Sequence, residues 1–360
     1  MKKLKVLSLF NGMNCIGMAL KSLNIEAQLY CSEIDKYANK ISSLLFPEAE
    51  NLGCVKTVKV EDIGKIDLLV AGSPCQGFSF AGKQLNFEDE RSKLFFEFIR
   101  ILEEARKLNP EVKFLLENVK MSKEHQAVIS RFCGIDPIEI NSALLSAQNR
   151  RRLYWTNIGT NKNNLFGIEQ VGIEQPADKG ILLKDILEET AAEKYFINQL
   201  NKNYSFNPVR LKKKFTQLNG KEKALCLCSK NSLSNWVGDF ITEEFSKKPG
   251  SLIIPEATKK GYTEIENGEC FDMLHPKSKT RRGRKMKDKS NCLTIVQPEF
   301  YRYENARIRR LTPLECCRLQ TIPEEETEKI LSSGVSDSQI YKMLGNGWTV
   351  DVIAYILKHL

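Results

Sequence analysis

Short apolar runs of strand length alternate with segments of helical apolar spacing over the first 160 residues or so. The run at 66–70 is nearly continuous, which is typical of a strand buried on both faces of a parallel sheet. Further strands are predicted at 5–10, 27–31 and 112–116, and helices at 18–23, 36–45 and 94–108. This alternation predicts an α/β fold with a mostly parallel sheet.

The pattern changes after about residue 180, where turn signals multiply and lysine-rich segments appear. Apolar order returns with a helix that Thr312 caps and Pro313 opens, and the chain closes with an apolar helix from about Val350. Because that last helix needs the first lobe to bury its apolar face, we expect the middle segment to be an insertion. The predicted domains are a main domain of residues 1–185 plus 305–360 and a smaller inserted domain of residues 186–304.

Composition narrows the class of protein. A chain of 360 residues with 42% hydrophobic and 28% charged residues is typical of a soluble globular protein. Eleven cysteines without framework spacing indicate reduced thiols, so we expect a cytoplasmic protein with no membrane partner. Three histidines and the lack of a paired CxxC motif predict no metal site. The net charge of +9 hints weakly at a polyanionic partner.

Two candidate catalytic residues follow predicted strands. Cys75 lies on a Gly-Ser-Pro-Cys loop after the strand at 66–70, and Glu117 follows the strand at 112–116. The carboxyl ends of parallel strands meet at one edge of the sheet, where ligands gather in such folds. Cys75 is therefore either a nucleophile or a buried structural thiol, and Glu117 either a general acid or the partner of an arginine.

Other polar positions are ambiguous when taken alone. Gln148, Arg150 and Arg152 share one face if the segment is extended, where they could bind a carboxylate, carbonyl or phosphate, or form an exposed basic turn. Glu33 follows the second strand, where a carboxylate suits ribose hydroxyls or the start of a helix. The glycine turn at 11–17 is either the opening of a nucleotide-type βαβ unit or a plain tight turn.

In combination, these stretches resemble the cytosine-C5 DNA methyltransferases over residues 4–158 and 305–360. The segments that carry the resemblance are Phe10-Asn11-Gly12, Ser73-Pro74-Cys75-Gln76, Glu117-Asn118-Val119, Gln148/Arg150/Arg152 and Gly345-Asn346. The resemblance implies a Rossmann-like class I S-adenosylmethionine-dependent methyltransferase fold, with residues 186–304 as a target-recognition domain. It also implies double-stranded DNA as substrate and a monomer, with either a cognate restriction endonuclease as a further partner or an orphan role without one.

The resemblance assigns roles at the catalytic centre. Cys75 would add to cytosine C6, Glu117 would hold N3 and the exocyclic amine, and Arg152 would contact O2. Arg150 would brace Glu117, and Gln148 completes the motif. The target base would have to leave the duplex for this chemistry.

For the cofactor, S-adenosylmethionine, the resemblance implies Phe10 against the adenine, Gly12 under the methionine part and Glu33 on the ribose. The remaining positions of the pocket are Asn11, Ile34, Pro74, Leu94, Asn346 and Trp348. The family's usual adenine-contacting Asp is replaced here by Cys54 or, less well aligned, by Asp62.

Two groups of residues are expected to contact DNA. By resemblance, Gln76 would lie near the space that the flipped base vacates, and Ser79, Lys83 and Arg91 near phosphates. A dense basic run in the insertion predicts further phosphate contacts from Arg281, Arg282, Arg284 and Lys285.

Competing interpretations differ in the motifs that they require. A tRNA-directed cytosine-5 methyltransferase keeps most of these motifs, but the long basic insertion favours DNA. A silent DNA-binding scaffold should have lost Cys75, Glu117 or the arginines, and all are present. A methyltransferase acting on exocyclic nitrogen would need an Asp/Asn-Pro-Pro-aromatic motif, and a nicotinamide-dependent oxidoreductase would need GxGxxG.

Overall fold

We describe the protein from a computed structural model, over residues 3–72, 90–161, 170–196, 252–258, 262–272, 280, 284–286, 288–293, 300–304 and 307–360. The chain divides into two compact units. Unit 1 comprises Met1–Ile186, Cys292–Val296 and Cys316–Leu360, and unit 2 comprises Leu187–Asn291 and Gln297–Glu315. We predicted that the chain returns to the first domain once, at residue 305. Instead, a short segment at 292–296 belongs to unit 1, residues 297–315 belong to unit 2, and unit 1 resumes at residue 316.

Unit 1 contains a seven-stranded sheet in the order β3-β2-β1-β4-β5-β7-β6. Its strands are β1 (Leu4–Leu9), β2 (Ala27–Ser32), β3 (Glu50–Asn51), β4 (Leu68–Gly72), β5 (Lys113–Val119), β6 (Ile138–Asn141) and β7 (Arg151–Thr156). The pairs among β1 to β5 are parallel, whereas β7 runs antiparallel to both β5 and β6. A separate antiparallel pair joins β8 (Thr160–Asn161) to β9 (Gln170–Val171). This arrangement confirms the predicted α/β class.

Ten α-helices lie in the described part of the chain. They are α1 (Cys15–Ser22), α2 (Lys36–Leu45), α3 (Val60–Ile63), α4 (Glu90–Leu108), α5 (Lys123–Cys133), α6 (Leu183–Ile186), α7 (Pro313–Leu319), α8 (Glu324–Ser332), α9 (Asp337–Asn346) and α10 (Val350–Leu357). None of them is both long enough and apolar enough to cross a membrane.

Helix starts differ from the predicted ones where polar residues open the helix. Helix α1 begins three residues before the predicted Met18, because the Asn14 side chain accepts from the Gly17 amide and caps the helix. Helix α4 begins at Glu90 rather than Leu94, because its polar first turn carries no apolar periodicity. The predicted cap of α7 is present, since Glu315 N donates to Thr312 Oγ1 and Thr312 N to Glu315 Oε2.

The core of unit 1 forms between the sheet and its helices. Leu69 and Phe114 on the central strands pack with Phe98 and Leu102 of α4, and all four are at most 1% exposed. Burying such side chains stabilises the fold by about 1.5–3 kcal/mol each. This rigid layer fixes the strand ends that carry the polar residues.

Unit 2, in its described residues, contains six antiparallel strands. The strands are β10 (Leu252–Pro255), β11 (Tyr262–Ile265), β12 (Cys270–Asp272), β13 (Lys285–Met286), β14 (Phe300–Glu304) and β15 (Arg307–Arg310). β10 pairs with β11, and the others form a sheet in the order β13-β12-β14-β15. A buried ion pair between Arg309 and Glu315 (2.7 Å) supports this unit.

Candidate active site

Glu117 lies within β5, not after it as predicted, because β7 extends the pairing to the end of the strand. Glu117 pairs with Gly72 of β4 on one side and with Tyr154 of β7 on the other. Only 8% of the residue is exposed. Glu117 therefore lies beside Gly72 at the end of β4, and Cys75 follows Gly72 by three residues in the sequence.

Both carboxylate oxygens of Glu117 are held. Arg152 Nε lies 2.9 Å from Oε1, and Trp348 Nε1 donates to Oε2 at 3.2 Å. The Arg152 guanidinium also donates from Nη1 to Arg151 O (2.9 Å) and from Nη2 to Cys292 Sγ (3.4 Å). Glu117 thus has an arginine partner, and its oxygens point in fixed directions.

Arg150 has a different role from the one that the resemblance implied. It is 3% exposed, and its guanidinium donates to Leu293 O, Gly345 O and Gly347 O at 2.8–3.3 Å, and to Cys292 Sγ at 3.1 Å. The brace on Glu117 comes instead from Arg152. Arg150 lies one residue before β7 and Arg152 lies within it. The first binds backbone carbonyls and the second binds the carboxylate.

Gln148 is fully buried, so its amide is a support for the site. Its Nε2 donates to Leu319 O (3.2 Å), and its Oε1 accepts from Leu293 N (3.2 Å). Both ends of the amide are therefore occupied by backbone groups. Gln148 fixes residue 293 beside the arginines, which differs from the catalytic role that we predicted for it.

Trp348 lies against the end of β4. A Cβ built on Gly72 would come within 2.8 Å of Trp348 Nε1, so only glycine leaves room for the indole there. We expected Trp348 in the cofactor pocket, and its indole N–H is directed at the Glu117 carboxylate. The Trp348 backbone also donates to the Cys15 thiol, whose burial raises its pKa to about 11.

A second polar cluster lies at the carboxyl ends of β1 and β2. Gly12 N donates to Glu33 Oε2 (2.8 Å), and the amides of Ile34 and Asp35 donate to Oε1 (2.8 Å each). Gly12 has φ +58° with open space where a side chain would lie. Ile34 is 77% exposed beside this carboxylate, and Phe10 is partly buried. The cluster thus combines an acceptor-only carboxylate with exposed apolar surface.

Asn11 provides an unsatisfied buried group in this cluster. Its Oδ1 has no hydrogen-bond partner within the described residues, although Asn11 is only 8% exposed. The turn after α9 comes close, because a Cβ on Gly347 would lie 3.3 Å from Met13 Cε. The neighbouring Asn346 is exposed, whereas Leu94 packs partly buried against the core.

The structure bears on the choice between Cys54 and Asp62. Ser32 Oγ donates to Gly53 O (2.8 Å), which holds the Gly53–Cys54 turn at the end of β2. Asp62 lies in α3 and is exposed. This favours the turn that contains Cys54 as the neighbour of the Glu33 cluster.

Several predicted residues lie outside the described residues. They are Pro74, Cys75, Gln76, Ser79, Lys83, Arg281 and Arg282, and for Arg91 only its place in α4 is described. The expectation that Arg284 contacts phosphates is wrong, because the residue is 1% exposed and its Nη1 donates to Asp272 O (3.3 Å). Lys285 next to it is paired with Glu269 (2.6 Å). A dense basic run gave no sign of which residues point inward.

Two supporting residues were not predicted from the sequence. Cys292 contacts both arginines, and Gln320 accepts from Thr349 Oγ1 (3.0 Å) and donates to Leu344 O and Gly347 O. Cys292 is separated from the arginines by about 140 residues, and neither position belongs to a periodic pattern. Only the proximity of Gln320 to the predicted helix at Thr312 could have drawn attention to it.

The sequence model of the family described as "C-5 cytosine-specific DNA methylase" matches residues 4–360. Orphan methyltransferase M.SPRI of Bacillus phage SPR is 30% identical over an alignment that covers 100% of this chain and 98% of the relative. Type II methyltransferase M.BanI of Aneurinibacillus aneurinilyticus is 29% identical, with 99% of this chain and 96% of the relative covered.

Among solved structures, the Entamoeba histolytica methyltransferase EhMeth is similar in fold, with a TM-score of 0.61 and 19% identity. The match covers 100% of this chain and 98% of that one. The strand-end carboxylate with its arginine, the glycine turn facing Glu33 and the match of the family model along the whole chain all agree. The chain therefore belongs to the C-5 cytosine-specific DNA methylase family.

Proposed function

We propose that this protein transfers the methyl group of S-adenosylmethionine to C5 of a flipped-out cytosine in double-stranded DNA, through a covalent adduct between Cys75 and C6. The observation that carries the proposal is the fixed Glu117 carboxylate, which lies beside Gly72 at the end of β4; Cys75 follows Gly72 by three residues in the sequence. A carboxylate with directed oxygens can hold the N3 and amine edge of one base and offset the charge that develops in the adduct.

The residues of the Glu33 cluster fit the cofactor. The Glu33 oxygens can accept from a ribose diol, and the Asn11 Oδ1 atom is buried without a partner among the described residues. Open space at Gly12 lets a ligand approach the backbone closely, and the exposed Ile34 can pack against an adenine. S-adenosylmethionine would supply an electrophilic methyl group beside the catalytic edge of the sheet.

The chain's own residues would carry the remaining steps. The Cys75 thiolate adds to C6, and a new S–C6 bond forms while Glu117 holds N3 and the amine. C5 would then take the methyl group as the donor's S–CH3 bond breaks and S-adenosylhomocysteine leaves. A base removes the C5 proton, the C5=C6 double bond re-forms, and the S–C6 bond breaks to release the thiolate. Arg152 orients Glu117 and is close enough to share the recognition of the base.

The experiment measures modified nucleosides. The protein is incubated with methyl-labelled S-adenosylmethionine and a pool of duplexes that contains all short sequence contexts, and in parallel with total tRNA. Digestion and mass spectrometry should find 5-methylcytosine in the duplex, abolished in Cys75→Ala and strongly reduced in Glu117→Gln. Label that enters tRNA alone would contradict DNA as the substrate, and N4-methylcytosine would contradict the reaction.

A further inference from the structure

Cys292 lies between the two guanidinium groups of the catalytic edge. Its Sγ is 3.1 Å from Arg150 Nη1 and 3.4 Å from Arg152 Nη2. We propose that Cys292 is a positioning residue whose sulfur fixes the Arg152 guanidinium against Glu117. The inference rests on the proposed function and adds to it a residue about 140 positions away from the arginines in the sequence.

Arg152 needs more than its contact with Glu117 to keep one orientation. The ion pair uses Nε, and Nη1 donates to the neighbouring Arg151 O. The Cys292 sulfur is the acceptor for the remaining nitrogen, Nη2, and so fixes the plane of the guanidinium. An arginine side chain has considerable rotamer freedom, which a third contact removes before the substrate binds.

The backbone holds Cys292 in place independently of Arg152. The next residue, Leu293, donates from its amide to Gln148 Oε1 (3.2 Å) and accepts at its carbonyl from Arg150 Nη1 (3.1 Å). Both supporting side chains are at most 3% exposed. The sulfur is thus presented to Arg152 by a buried, hydrogen-bonded frame.

Charge explains why a sulfur suits this place. Two cations, Arg150 and Arg152, converge on one point, and an electron-rich acceptor between them reduces their repulsion. Burial disfavours the thiolate of Cys292, but the two guanidinium groups outweigh burial, and the pKa of Cys292 is lowered. Cys31, which is buried without such cations, has a pKa raised to about 12. The Glu117 carboxylate contacts the same guanidinium at its Nε.

The test compares Cys292→Ala with Cys292→Ser, and uses Cys133→Ala as the control that removes a buried thiol from α5 of the same unit. Single-turnover methylation is measured with enzyme in excess over the duplex pool, at saturating cofactor. Cys292→Ala removes the acceptor for the charged Arg152 donor Nη2. This loss should slow methylation about ten- to hundredfold. The serine hydroxyl can accept from Nη2 and should restore most of the rate, and Cys133→Ala should keep the wild-type rate.

A double-mutant cycle separates positioning from mere structural support. In an Arg152→Ala background, Cys292→Ala should change the rate by less than about twofold, because the group it positions is gone. The same large fall in both backgrounds would overturn the inference, as would a wild-type rate for Cys292→Ala alone. If the wild-type enzyme itself makes no 5-methylcytosine, the proposed function fails, which is a result distinct from both.

Discussion

Trp348→Phe is the substitution that best distinguishes a role of Trp348 at the Glu117 carboxylate from a role in the cofactor pocket. The indole N–H donates to Glu117 Oε2 at 3.2 Å, and the residue is 9% exposed. Phenylalanine keeps an aromatic ring beside Gly72 but has no donor. One oxygen of the buried carboxylate then loses its partner, and only Arg152 still holds Glu117.

The magnitude follows from this hydrogen bond. A hydrogen bond to a charged group stabilises by about 1.5–3 kcal/mol, so the free energy of unfolding should fall by about that amount. Misplacing a reacting group by about 1 Å costs about a hundredfold in rate, so we expect single-turnover methylation to slow by about ten- to hundredfold. Cofactor affinity should change little, because the lost contact is with the carboxylate.

The assay pairs single-turnover methylation with calorimetric titration of S-adenosylmethionine and urea unfolding. Trp155→Phe is the matched control, because Trp155 Nε1 of β7 donates at 3.0 Å to a neutral hydroxyl, Ser130 Oγ of α5. The control should lose stability and keep its rate. Weaker cofactor binding with an unchanged rate at saturating cofactor would refute the role of Trp348 at Glu117. It would support the place in the cofactor pocket that the resemblance implied.

Three further predictions concern other parts of unit 1. Gly72→Ala should slow methylation and lower stability by about 1–3 kcal/mol, because its Cβ would lie 2.8 Å from Trp348 Nε1; urea unfolding and rates measure both effects. Glu33→Ala should raise the Kd for S-adenosylmethionine in calorimetry and leave the rate at saturating cofactor nearly unchanged, and an unchanged Kd would contradict the ribose assignment. Burial disfavours ionised Asp35, but hydrogen bonding from Lys342 and the α2 amides outweighs it and lowers the pKa. That stability is therefore complete above about pH 4 and is lost as the pH falls through the lowered pKa, so Asp35→Asn, which keeps the cap, should show a shallower acid limb of Tm against pH.

Local patterns were sufficient for the central strands and for the residues at their ends. The nearly continuous apolar run before Cys75 predicted the buried parallel strand β4, and the alternation of Arg150 and Arg152 predicted a shared face. Each of these inferences needs only neighbouring residues and the period of the backbone. The capping residues of α7 were predictable for the same reason.

Long-range contacts were not predictable, because no local pattern encodes them. Arg150 does not brace Glu117, because its guanidinium donates to the carbonyls of Gly345 and Gly347, nearly 200 residues later. The burial of Arg284 depends on its place beside β13. A shift of the strand register by one residue would move buried side chains to the exposed face and exposed ones to the buried face. The basic composition of that run is the same in either register.

The most direct test of the central claim is covalent trapping. The protein is mixed with S-adenosylmethionine and duplexes in which 5-fluorocytosine replaces cytosine, and the product is separated on a denaturing gel and mapped by peptide mass spectrometry. Fluorine at C5 replaces the proton that must leave, so it blocks the elimination that releases the thiolate. We therefore expect an adduct on Cys75 that carries one additional methyl group. An adduct on another cysteine, or none on a pool of all short sequence contexts while cofactor is bound, would contradict it.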